Sequence, residues 1–444
     1  MGSKWQTVKL KDIVNFNTGK LNSNAAVDDG QYPFFTCSPE TLRINTHAFD
    51  CEAVLLAGNN ANGVFPVKYY DGKFNAYQRT YVITPKANIE LDVKWLFFQI
   101  QHVTKVLQKL SVGTATKFLT KQILDSFEVK LPPVEHQKRI SNHLWSLLEK
   151  ENLNRQINQT LEQMAQALFK SWFVDFDPVI DNSLDAGFFE QNLAFPDELL
   201  RRAETRRAVR EHGDCKPLPD AIYQLFPAAF EECAEPSLGL GGWVPKGWKH
   251  GCVADVARYS TKRIDTEELT LENYISTENM LADRKGIQPA ATLPTVNSVP
   301  AYATGSILIS NIRPYFKKIW LANGCGGHSN DVLGFEAKDS DTECYVFNLM
   351  YQDSFFDFMM ATSKGSKMPR GDKKAILEWG LIVPPLNLRL FFSEKVRKFY
   401  TSSYGRHHEN ITLAQLRDTL LPKLISGELR LDNIEADLTK IEVV

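Results

Sequence analysis

A Pro-Pro pair occurs twice in this chain, each time between an apolar run and a helix-like stretch. The first copy reads LPPVEHQKRIS (131–141) and the second reads VPPLNLRLFFS (383–393), 252 residues later. At that shift the apolar positions of the two helix-like stretches coincide without a gap, and the earlier runs VLLAGNN (54–60) and SILISNI (306–312) also align. Matched spacing over such a distance predicts a duplicated domain rather than a short-period solenoid.

Both repeats have the same internal plan. Short β-rich runs such as FPVKYY (65–70) and KKIWLA (317–322) alternate with a helical stretch, which predicts a mixed α/β globule. The Pro-Pro pair then ends a strand, and a long helix follows it. Because 444 residues exceed one ordinary hydrophobic core, the composition agrees with two globules.

The two long helices carry a coiled-coil pattern of apolar residues at steps of three and four. The residues predicted to pack along this seam are Ile140, Leu144, Leu147, Ile157, Leu161, Met164 and Leu168 in the first helix, and Phe392, Val396, Phe399, Leu413, Leu416 and Leu420 in the second. Both seams are polar at their middle, in EKENLNRQINQ (149–159) and TSSYGRHHENI (401–411). The chain has to build a globule between the helices and return, which favours antiparallel pairing. The alternative is two unrelated amphipathic helices, each packed on its own globule.

Between the first helix and the second globule lies a segment rich in Pro, Gly and acidic residues (174–240), with 14 acidic and 6 basic side chains. We interpret it as an extended surface connector with one basic helical patch, ELLRRAETRRAVRE (198–211). The first 133 residues carry 15 basic and 11 acidic side chains, so a basic surface can coexist with a net charge of −2.

The sequence contains none of the common catalytic or cofactor motifs. There is no GxxxxGK[ST], no HExxH, no CxxC pair and no Asn/Asp-Pro-Pro-aromatic tetrad, and His407-His408 is better explained as a solvated pair than as a metal site. We therefore predict no catalytic residue and no metal ligand, while a scattered carboxylate site stays open.

Basic and amide side chains interleaved with aromatic ones indicate contact with double-stranded DNA. Arg pairs with guanine, Asn and Gln pair with adenine, and Lys and Tyr hold phosphates. The candidates in the first repeat are Lys68, Tyr69, Lys73, Asn75, Tyr77, Gln78, Arg79, Thr114 and Lys117. Those in the second are Asn311, Arg313, Tyr315, Lys317, Lys318, His328, Asn330, Lys364, Ser366, Lys367 and Arg370. The alternative is that these residues form ordinary solvated hairpins and loops.

Four phrases together resemble the DNA-specificity (S) subunit of type I restriction–modification systems. They are LPPVEHQKRI (131–140), LEQMAQALFKSWFVDFDPV (161–179), LFPAAFEE followed by GWVPKGW (225–248), and LRDTLLPKLISGEL (416–429). The second Pro-Pro motif departs from that pattern, because Arg389 stands at the counterpart of Gln137.

The resemblance implies an α+β fold with two pseudo-repeated mixed α/β target-recognition domains and two long antiparallel helices that form a coiled-coil spacer. The corresponding division is 1–133 and 241–385 for the recognition domains, 134–174 and 386–430 for the spacer helices, 175–240 for the connector and 431–444 for a tail.

The resemblance also implies a non-catalytic role. Each recognition domain would read one half of a split target, and the helices would set the gap and dock two methyltransferase subunits. Restriction/translocase subunits complete such systems, and S-adenosylmethionine, ATP and magnesium are used by those partners rather than by this chain. Two other readings remain, a self-contained DNA-modifying or DNA-cleaving enzyme and a coiled-coil scaffold.

The same sequence predicts a cytoplasmic protein that does not enter membranes. The stretch MGSKWQTVKL (1–10) lacks the apolar segment of a signal peptide, and the seven cysteines show no disulfide framework. We expect these cysteines to be reduced and mostly buried.

Overall fold

The computed structural model describes residues 5–60, 65–110, 117–212 and 218–429. The helices are α1 (Leu10–Ile13), α2 (Val93–Leu110), α3 (Lys121–Ser126), α4 (Val134–Phe173), α5 (Asp177–Asp185), α6 (Asp197–His212), α7 (Asp220–Tyr223), α8 (Val253–Val256), α9 (Glu343–Tyr351), α10 (Asp353–Ala361), α11 (Lys373–Leu377) and α12 (Leu386–Ser426). Strands β1 to β10 are Gln6–Lys9, Val14–Thr18, Tyr32–Phe35, Leu42–Ile44, Phe49–Ala57, Asn59–Asn60, Val67–Ala76, Thr80–Pro85, Lys117–Phe118 and Glu128–Leu131. Strands β11 to β22 are Phe230–Glu232, Trp243–Pro245, Lys249–Cys252, Ala257–Tyr259, Arg263–Asp265, Tyr274–Ile275, Ser298–Tyr302, Ile307–Ser310, Ile319–Leu321, Gly326–His328, Val332–Ala337 and Gly380–Val383.

The chain forms two compact units. Unit 1 consists of Met1–Arg155 and His407–Val444, and unit 2 consists of Gln156–Arg406. The long helices α4 and α12 therefore each contribute one half to either unit.

Unit 1 is built on a six-stranded sheet in the order β2-β8-β5-β7-β3-β4. Its pairings are antiparallel except for the parallel pair β3–β7. The apolar end of β5, from Ala53 to Ala57, is fully buried because side chains of both sheet faces are covered there. Helix α2 packs on β5 and β7, and its Trp95 and Phe98 lie completely inside the core.

Unit 2 contains two four-stranded sheets, in the orders β14-β21-β18-β19 and β15-β17-β20-β16. All four residues of β18 are buried, since α9 covers this sheet with side chains such as Tyr345 and Val346. The same core includes Phe169 and Trp172 of α4 and Phe392 of α12.

The duplication is visible in the two units taken separately. In unit 1 the strand before the Pro-Pro pair, β10, pairs with β1, and in unit 2 its counterpart β22 pairs with β13 in the same antiparallel manner. The Pro-Pro motifs also keep one polar contact. Gln137 donates from Nε2 to the carbonyl oxygen of Pro132 at 2.8 Å, and Arg389 donates from Nε to that of Pro384 at 3.1 Å. The change from Gln to Arg therefore preserves the hydrogen bond to the first proline carbonyl of the motif. Arg389 has a further partner, because Asp339 Oδ2 accepts a hydrogen bond from it at 2.7 Å.

Within each unit the two helix halves run antiparallel. In unit 1, Asn154 Nδ2 donates to Asn410 Oδ1 at 2.9 Å, and Glu151 Oε1 accepts from Arg417 at 2.9 Å, so one residue number falls as the other rises. In unit 2, Asn158 Nδ2 donates to the carbonyl oxygen of Ser403 at 3.2 Å, while the rings of Trp172 and Phe391 stack with centroids 6.1 Å apart. The predicted antiparallel arrangement is confirmed in both.

The helix seam departs from the prediction at two of the thirteen predicted positions. Ile140, Leu144, Phe392 and Val396 are buried, and Leu168, Phe399 and Leu420 pack against the cores. The half-buried members are Leu147, Ile157, Leu161 and Leu413. Met164 and Leu416, however, are 48 % and 44 % exposed, so their assignment to the seam is wrong.

The phase shift has a packing cause. The buried residues one position along are Ala165 and Phe169 in α4 and Leu421 in α12. Ala165 and Phe169 lie four residues apart on the same face of α4, and the burial of the large aromatic ring of Phe169 stabilises the phase that leaves Met164 exposed. A polar residue such as Asn158 can lie between the two helices because its side-chain amide donates a hydrogen bond to a carbonyl group of α12.

The segment between α4 and the second repeat is folded, which corrects the expectation of an extended connector. It forms α5, α6, α7 and β11, and Phe188, Phe226 and Phe230 from it belong to the core of unit 2. The acidic and Pro-rich composition masked these aromatic anchors.

Three of the five arginines in the basic patch on α6 form ion pairs within this segment. Arg202, Arg206 and Arg210 lie one turn apart and pair with Asp177, Asp181 and Asp185 of α5, each at 2.5 Å. We call these six residues the Arg–Asp ladder. Its central pair is the most buried, with Arg206 12 % and Asp181 3 % exposed at their side chains.

Six cysteines lie in the described part of the chain, and all are free thiols. Only Cys344 among them is buried, while Cys325 is exposed and the other four are half-buried, so the expectation of mostly buried thiols is wrong. No described helix combines the length and the apolar character that crossing a membrane requires.

Candidate nucleic-acid interface

In unit 1, loops from four parts of the sequence meet at the turn Tyr77–Arg79. The amide of Gln78 donates to the carbonyl of Leu21, and the amide of Gly58 donates to the carbonyl of Arg79, at 2.9 and 2.8 Å. The amide of Leu119, directly after β9, donates to the carbonyl of Gly58 at 2.8 Å. We call this group of loops the unit 1 loop cluster, and it joins the predicted residues of the turn to the strand that contains Lys117.

The turn presents its side chains to solvent while its backbone is fixed. Gln78 and Arg79 are exposed and Tyr77 is half-buried. Gln78 Nε2 donates to Asn22 Oδ1 at 2.8 Å. The thiol of Cys37 donates to the carbonyl oxygen of Arg79 at 3.5 Å. An exposed amide and guanidinium on a fixed turn suit hydrogen bonding to base edges.

Lys68 and Tyr69 at the start of β7 are engaged inside unit 1. Lys68 Nζ donates to the carbonyl oxygen of Glu40 at 2.8 Å, and burial lowers the pKa of its amine to about 8. Tyr69 donates to Glu52 at 2.6 Å and packs edge-on against Trp145 of α4, and burial raises the pKa of its hydroxyl. Tyr69 therefore connects the sheet to the helix, a role that its sequence context did not indicate.

Asn75 is not available to a ligand. Its side chain is 4 % exposed, donates to the carbonyl of Thr46 at 3.3 Å and accepts from the amide of Ala76 at 3.0 Å. Its assignment as a DNA contact is therefore wrong, because the amide is used where β3 meets β7. Lys73 on the same strand is exposed. Thr114 lies outside the described residues, and of Lys117 only the backbone pairing with Asn60 is described.

Unit 2 builds an equivalent group of loops, the unit 2 loop cluster. The amide of Asn311 donates to the carbonyl of Asp331, and the amide of Arg313 donates to that of Pro369, both at 2.8 Å. The amide of Gly371 donates to the carbonyl of Asn311 at 3.2 Å. This last bond matches the one between Leu119 and Gly58 in unit 1, so both units join the end of a central strand to the loop that follows their helical region.

The loop 364–370 provides the exposed cations of this cluster. Lys364, Ser366, Lys367 and Arg370 are all exposed. Lys364 pairs with Asp372 at 2.7 Å, and Arg370 pairs with Asp331 at 3.2 Å. Surface pairs of this kind contribute little to stability and exchange easily for phosphate oxygens.

Asn311 and His328 lie under this surface rather than on it. Asn311 is 7 % exposed and His328 is 3 % exposed. Burial lowers the pKa of the imidazole, whose Nδ1 lies 2.9 Å from the carbonyl oxygen of Ser329. Their assignment as direct DNA contacts is therefore wrong, since neither side chain reaches the surface. Asn330 beside them is exposed.

Arg313, Tyr315, Lys317 and Lys318 lie in one short segment after β18. Lys317 Nζ pairs with Asp353 at 2.6 Å, and Lys318 Nζ donates to the carbonyl of Thr277 at 2.6 Å. Burial lowers the pKa of the Lys318 amine. Tyr315 is exposed, and Arg313 is half-buried with its Nε unpartnered.

Sequence reasoning missed Arg284 and Asp353. Asp353 accepts hydrogen bonds from both Arg284 and Lys317, which lowers the pKa of its carboxyl group to about 2. Arg284 lies 69 residues before Asp353 in the sequence, so no local pattern could have paired them.

The described residues contain no group of three or more side chains arranged to hold a metal ion. The exposed side chains of the two loop clusters, among them Gln78, Arg79, Lys367 and Arg370, are suited to hydrogen bonding and ion pairing with a polyanion.

Comparisons with known proteins agree with this description. Residues 2–163 match a family described as the type I restriction modification DNA specificity domain. The specificity subunit of the type I restriction enzyme EcoDI from Escherichia coli is 29 % identical over 439 residues, covering 96 % of this chain and 88 % of that protein. The HindI specificity subunit from Haemophilus influenzae is 25 % identical over 386 residues, covering 78 % and 80 %. The crystal structure of a type I restriction–modification S subunit from M. genitalium superposes with a TM-score of 0.58 at 14 % identity, covering 96 % of this chain and 97 % of that one, which supports the fold alone.

Proposed function

We propose that this chain selects the DNA sequence on which a type I restriction–modification system acts, because it belongs to the DNA specificity subunits of such systems. Unit 1 reads one half of a bipartite target with its loop cluster, and unit 2 reads the other half with the equivalent cluster. The two halves of the target differ because the two clusters expose different side chains.

The observation that carries this proposal is the repeated construction of the clusters. Each unit bonds a central strand end to the loop after its helical region, through the amide of Leu119 in one and of Gly371 in the other. Two readers of the same design suit two half-sites, as in dimeric DNA-binding proteins. The exposed Gln78, Arg79, Lys367 and Arg370 supply the base-edge and phosphate contacts.

The chain is the non-catalytic subunit of its complex. Two methyltransferase subunits and restriction/translocase subunits supply the chemistry, using S-adenosylmethionine, ATP and magnesium. Purified chain incubated with DNA and these three compounds should form neither methylated nor cleaved product. Product formed without added subunits would instead support the self-contained enzyme.

Methylome sequencing tests the reading of a split target. A host that carries the partner subunits is sequenced with and without this chain. A methylated motif with two specific halves and a gap of unspecified bases, present only with the chain, is the expected result. No chain-dependent motif, together with no salt-dependent DNA binding by the assembled complex, would favour the coiled-coil scaffold.

The two long helices set the gap between the half-sites in this proposal. Seven residues inserted between Arg155 and Gln156, and seven between Arg406 and His407, leave every contact inside either unit unchanged, because the unit boundaries lie there. One added heptad keeps the seam in phase and lengthens each helix by about 10 Å. Since base pairs are stacked about 3.4 Å apart, the gap should grow by at most about three base pairs. An active variant that methylates only the original gap refutes this role of the helices.

A further inference from the structure

Two adjacent aromatic rings are exposed in the unit 2 loop cluster. Tyr315 and Phe316 are 49 % and 37 % exposed, and their ring centroids are 4.6 Å apart at an interplanar angle of 50°. They lie in a single 3-10 turn, Pro314–Phe316. Isolated exposed apolar side chains are common, but a contacting pair of large rings held in one turn is a specific feature.

The backbone around these rings is held in an unfavourable conformation. Arg313 and Lys317, directly before and after the turn, have φ angles of 51° and 49°. Asp283 and Arg284, whose amides donate to the carbonyls of Phe316 and Lys317, have φ angles of 55° and 60°. Residues with a side chain rarely adopt such positive values, and clusters of them are found where a local shape is required for function.

Side-chain contacts fix this shape. Arg284 and Lys317 share the carboxylate of Asp353 at 2.5 and 2.6 Å. The guanidinium of Arg284 also lies over the rings of Tyr351 and Phe356, 4.8 and 5.4 Å from their centroids. The turn is thus fastened to α9 and α10 at its base, so the two rings are presented without the entropy loss of ordering a loop on binding.

The surroundings of the rings favour a nucleic acid over a protein partner. Lys318 Nζ lies 5.7 Å from the centroid of the Phe316 ring. Two residues before Tyr315, the amide of Arg313 bonds to the loop that exposes Lys367 and Arg370. An exposed ring pair with one cation over a ring, linked through its backbone to a loop of exposed cations, matches stacked bases between phosphates, whereas the core of a protein interface is depleted of charged residues.

We propose that Tyr315 and Phe316 form a preformed wedge that enters a base step of the half-site read by unit 2 and unstacks it. This inference rests on the proposed function and adds a readout by DNA deformability to the hydrogen-bonding readout of base edges. Proteins that insert apolar side chains between base pairs kink the duplex at that step. Pyrimidine–purine steps deform most easily, so this half-site should contain one at the insertion point.

The test uses the complex of the full chain with its methyltransferase subunits and duplexes of the target found by methylome sequencing. The adenine analogue 2-aminopurine, which brightens when unstacked, replaces one base at a time in the half-site read by unit 2. The variants are Tyr315→Ser, Phe316→Ser and the double variant. Val296→Ser is the matched control, because Val296 is a 55 % exposed apolar residue elsewhere in the same unit.

The expected result is a fluorescent step in the wild-type and control complexes that disappears in the double variant. Fluorescence that persists in the double variant at another position belongs to bases flipped by the methyltransferase subunits. Affinity for the target should fall roughly 5- to 150-fold for each ring removed, the effect of deleting one base–aromatic stack. Affinity for a duplex without the target should change little.

Two results overturn the wedge and leave the proposed function standing. One is a double variant with wild-type affinity and an unchanged fluorescence profile. The other is a double variant that loses the methyltransferase subunits on gel filtration, which would make the rings a subunit contact. A wild-type complex with no preference for any sequence would instead refute the proposed function itself.

Discussion

The ion pair between Glu151 and Arg417 offers a quantitative test of how the helix halves of unit 1 are held together. The Glu151 side chain is 3 % exposed and the Arg417 side chain is 16 % exposed, and their charged atoms are 2.9 Å apart. Arg155 also donates to Glu151, at 3.1 Å, and the carbonyl of Glu151 accepts from Asn410 at 3.2 Å. A buried carboxylate with these partners fixes which turns of the helices face each other.

The change Arg417→Met removes the main partner and leaves the carboxylate buried. Breaking a buried ion pair from one side costs about 3–5 kcal/mol. Since Arg155 still donates to Glu151, the expected loss is at the lower end, about 3 kcal/mol. The double change Glu151→Leu with Arg417→Met removes both charges, and its free energy of unfolding should lie within about 1 kcal/mol of the wild type.

The assay is urea unfolding followed by circular dichroism, with Asp418→Asn as the control. Asp418 also pairs with Arg417 but is 60 % exposed, so its loss should cost less than about 1 kcal/mol. The reasoning is refuted if Arg417→Met costs no more than this control. It is equally refuted if the double variant is as unstable as the sum of the two single changes.

Three further outcomes are expected. Arg206→Ala should cost about 3 kcal/mol in urea unfolding because it opens the buried centre of the Arg–Asp ladder, whereas Arg210→Ala at its exposed end should cost less than about 1 kcal/mol; equal costs would contradict the burial argument. The Lys68 amine has its pKa lowered to about 8 in the fold, against about 10.4 in an unfolded chain. Between these two pH values the unfolded state therefore binds more protons than the folded state. The free energy of unfolding of the wild type should rise relative to that of Lys68→Met as the pH increases from 8 to 10. Parallel pH curves for the two proteins would contradict this prediction. The double change Gln78→Ala with Arg79→Ala should relax the methylated motif in one half only, and relaxation in both halves would contradict independent reading.

The sequence predicted the features that depend on repetition and on local pattern. The 252-residue shift located both Pro-Pro motifs, the long helices and the equivalent strands, because the same physical constraints operate on both copies. The residues of the turn Tyr77–Arg79 could be proposed as candidates from local pattern alone, since an amide, a guanidinium and a phenol stand out from the β-rich sequence around them.

Features that depend on burial could not be obtained from residue type. Asn75, Asn311 and His328 resemble DNA contacts in the sequence, yet all three side chains lie below the surface. Those of Asn75 and His328 bond to nearby main-chain carbonyl groups. The seam prediction failed at Met164 because its neighbour Ala165 is apolar as well, and only the core of unit 2, which takes in Ala165 and Phe169, decides which face of α4 is buried.

The Arg–Asp ladder shows the same limit for charge. The arginines of α6 follow a helical period and suggested a basic surface, but Arg202, Arg206 and Arg210 are neutralised by aspartates of α5, 25 residues earlier. Pairing across elements is a property of the fold and leaves no local mark on either segment.

The composition of unit 1 from two separate stretches of chain has a consequence for the order in which the protein is made. Residues 156–406 are contiguous, so unit 2 has all its parts as soon as this stretch has left the ribosome. Ile140 and Leu144, translated earlier, share a core with Leu421 and Leu424, which are translated later. At about 5–20 residues per second, the part of this core that Leu421 and Leu424 fill stays open for roughly 15–55 s. The unit whose synthesis starts first is therefore the one that finishes folding last, because the end of α12 closes its core.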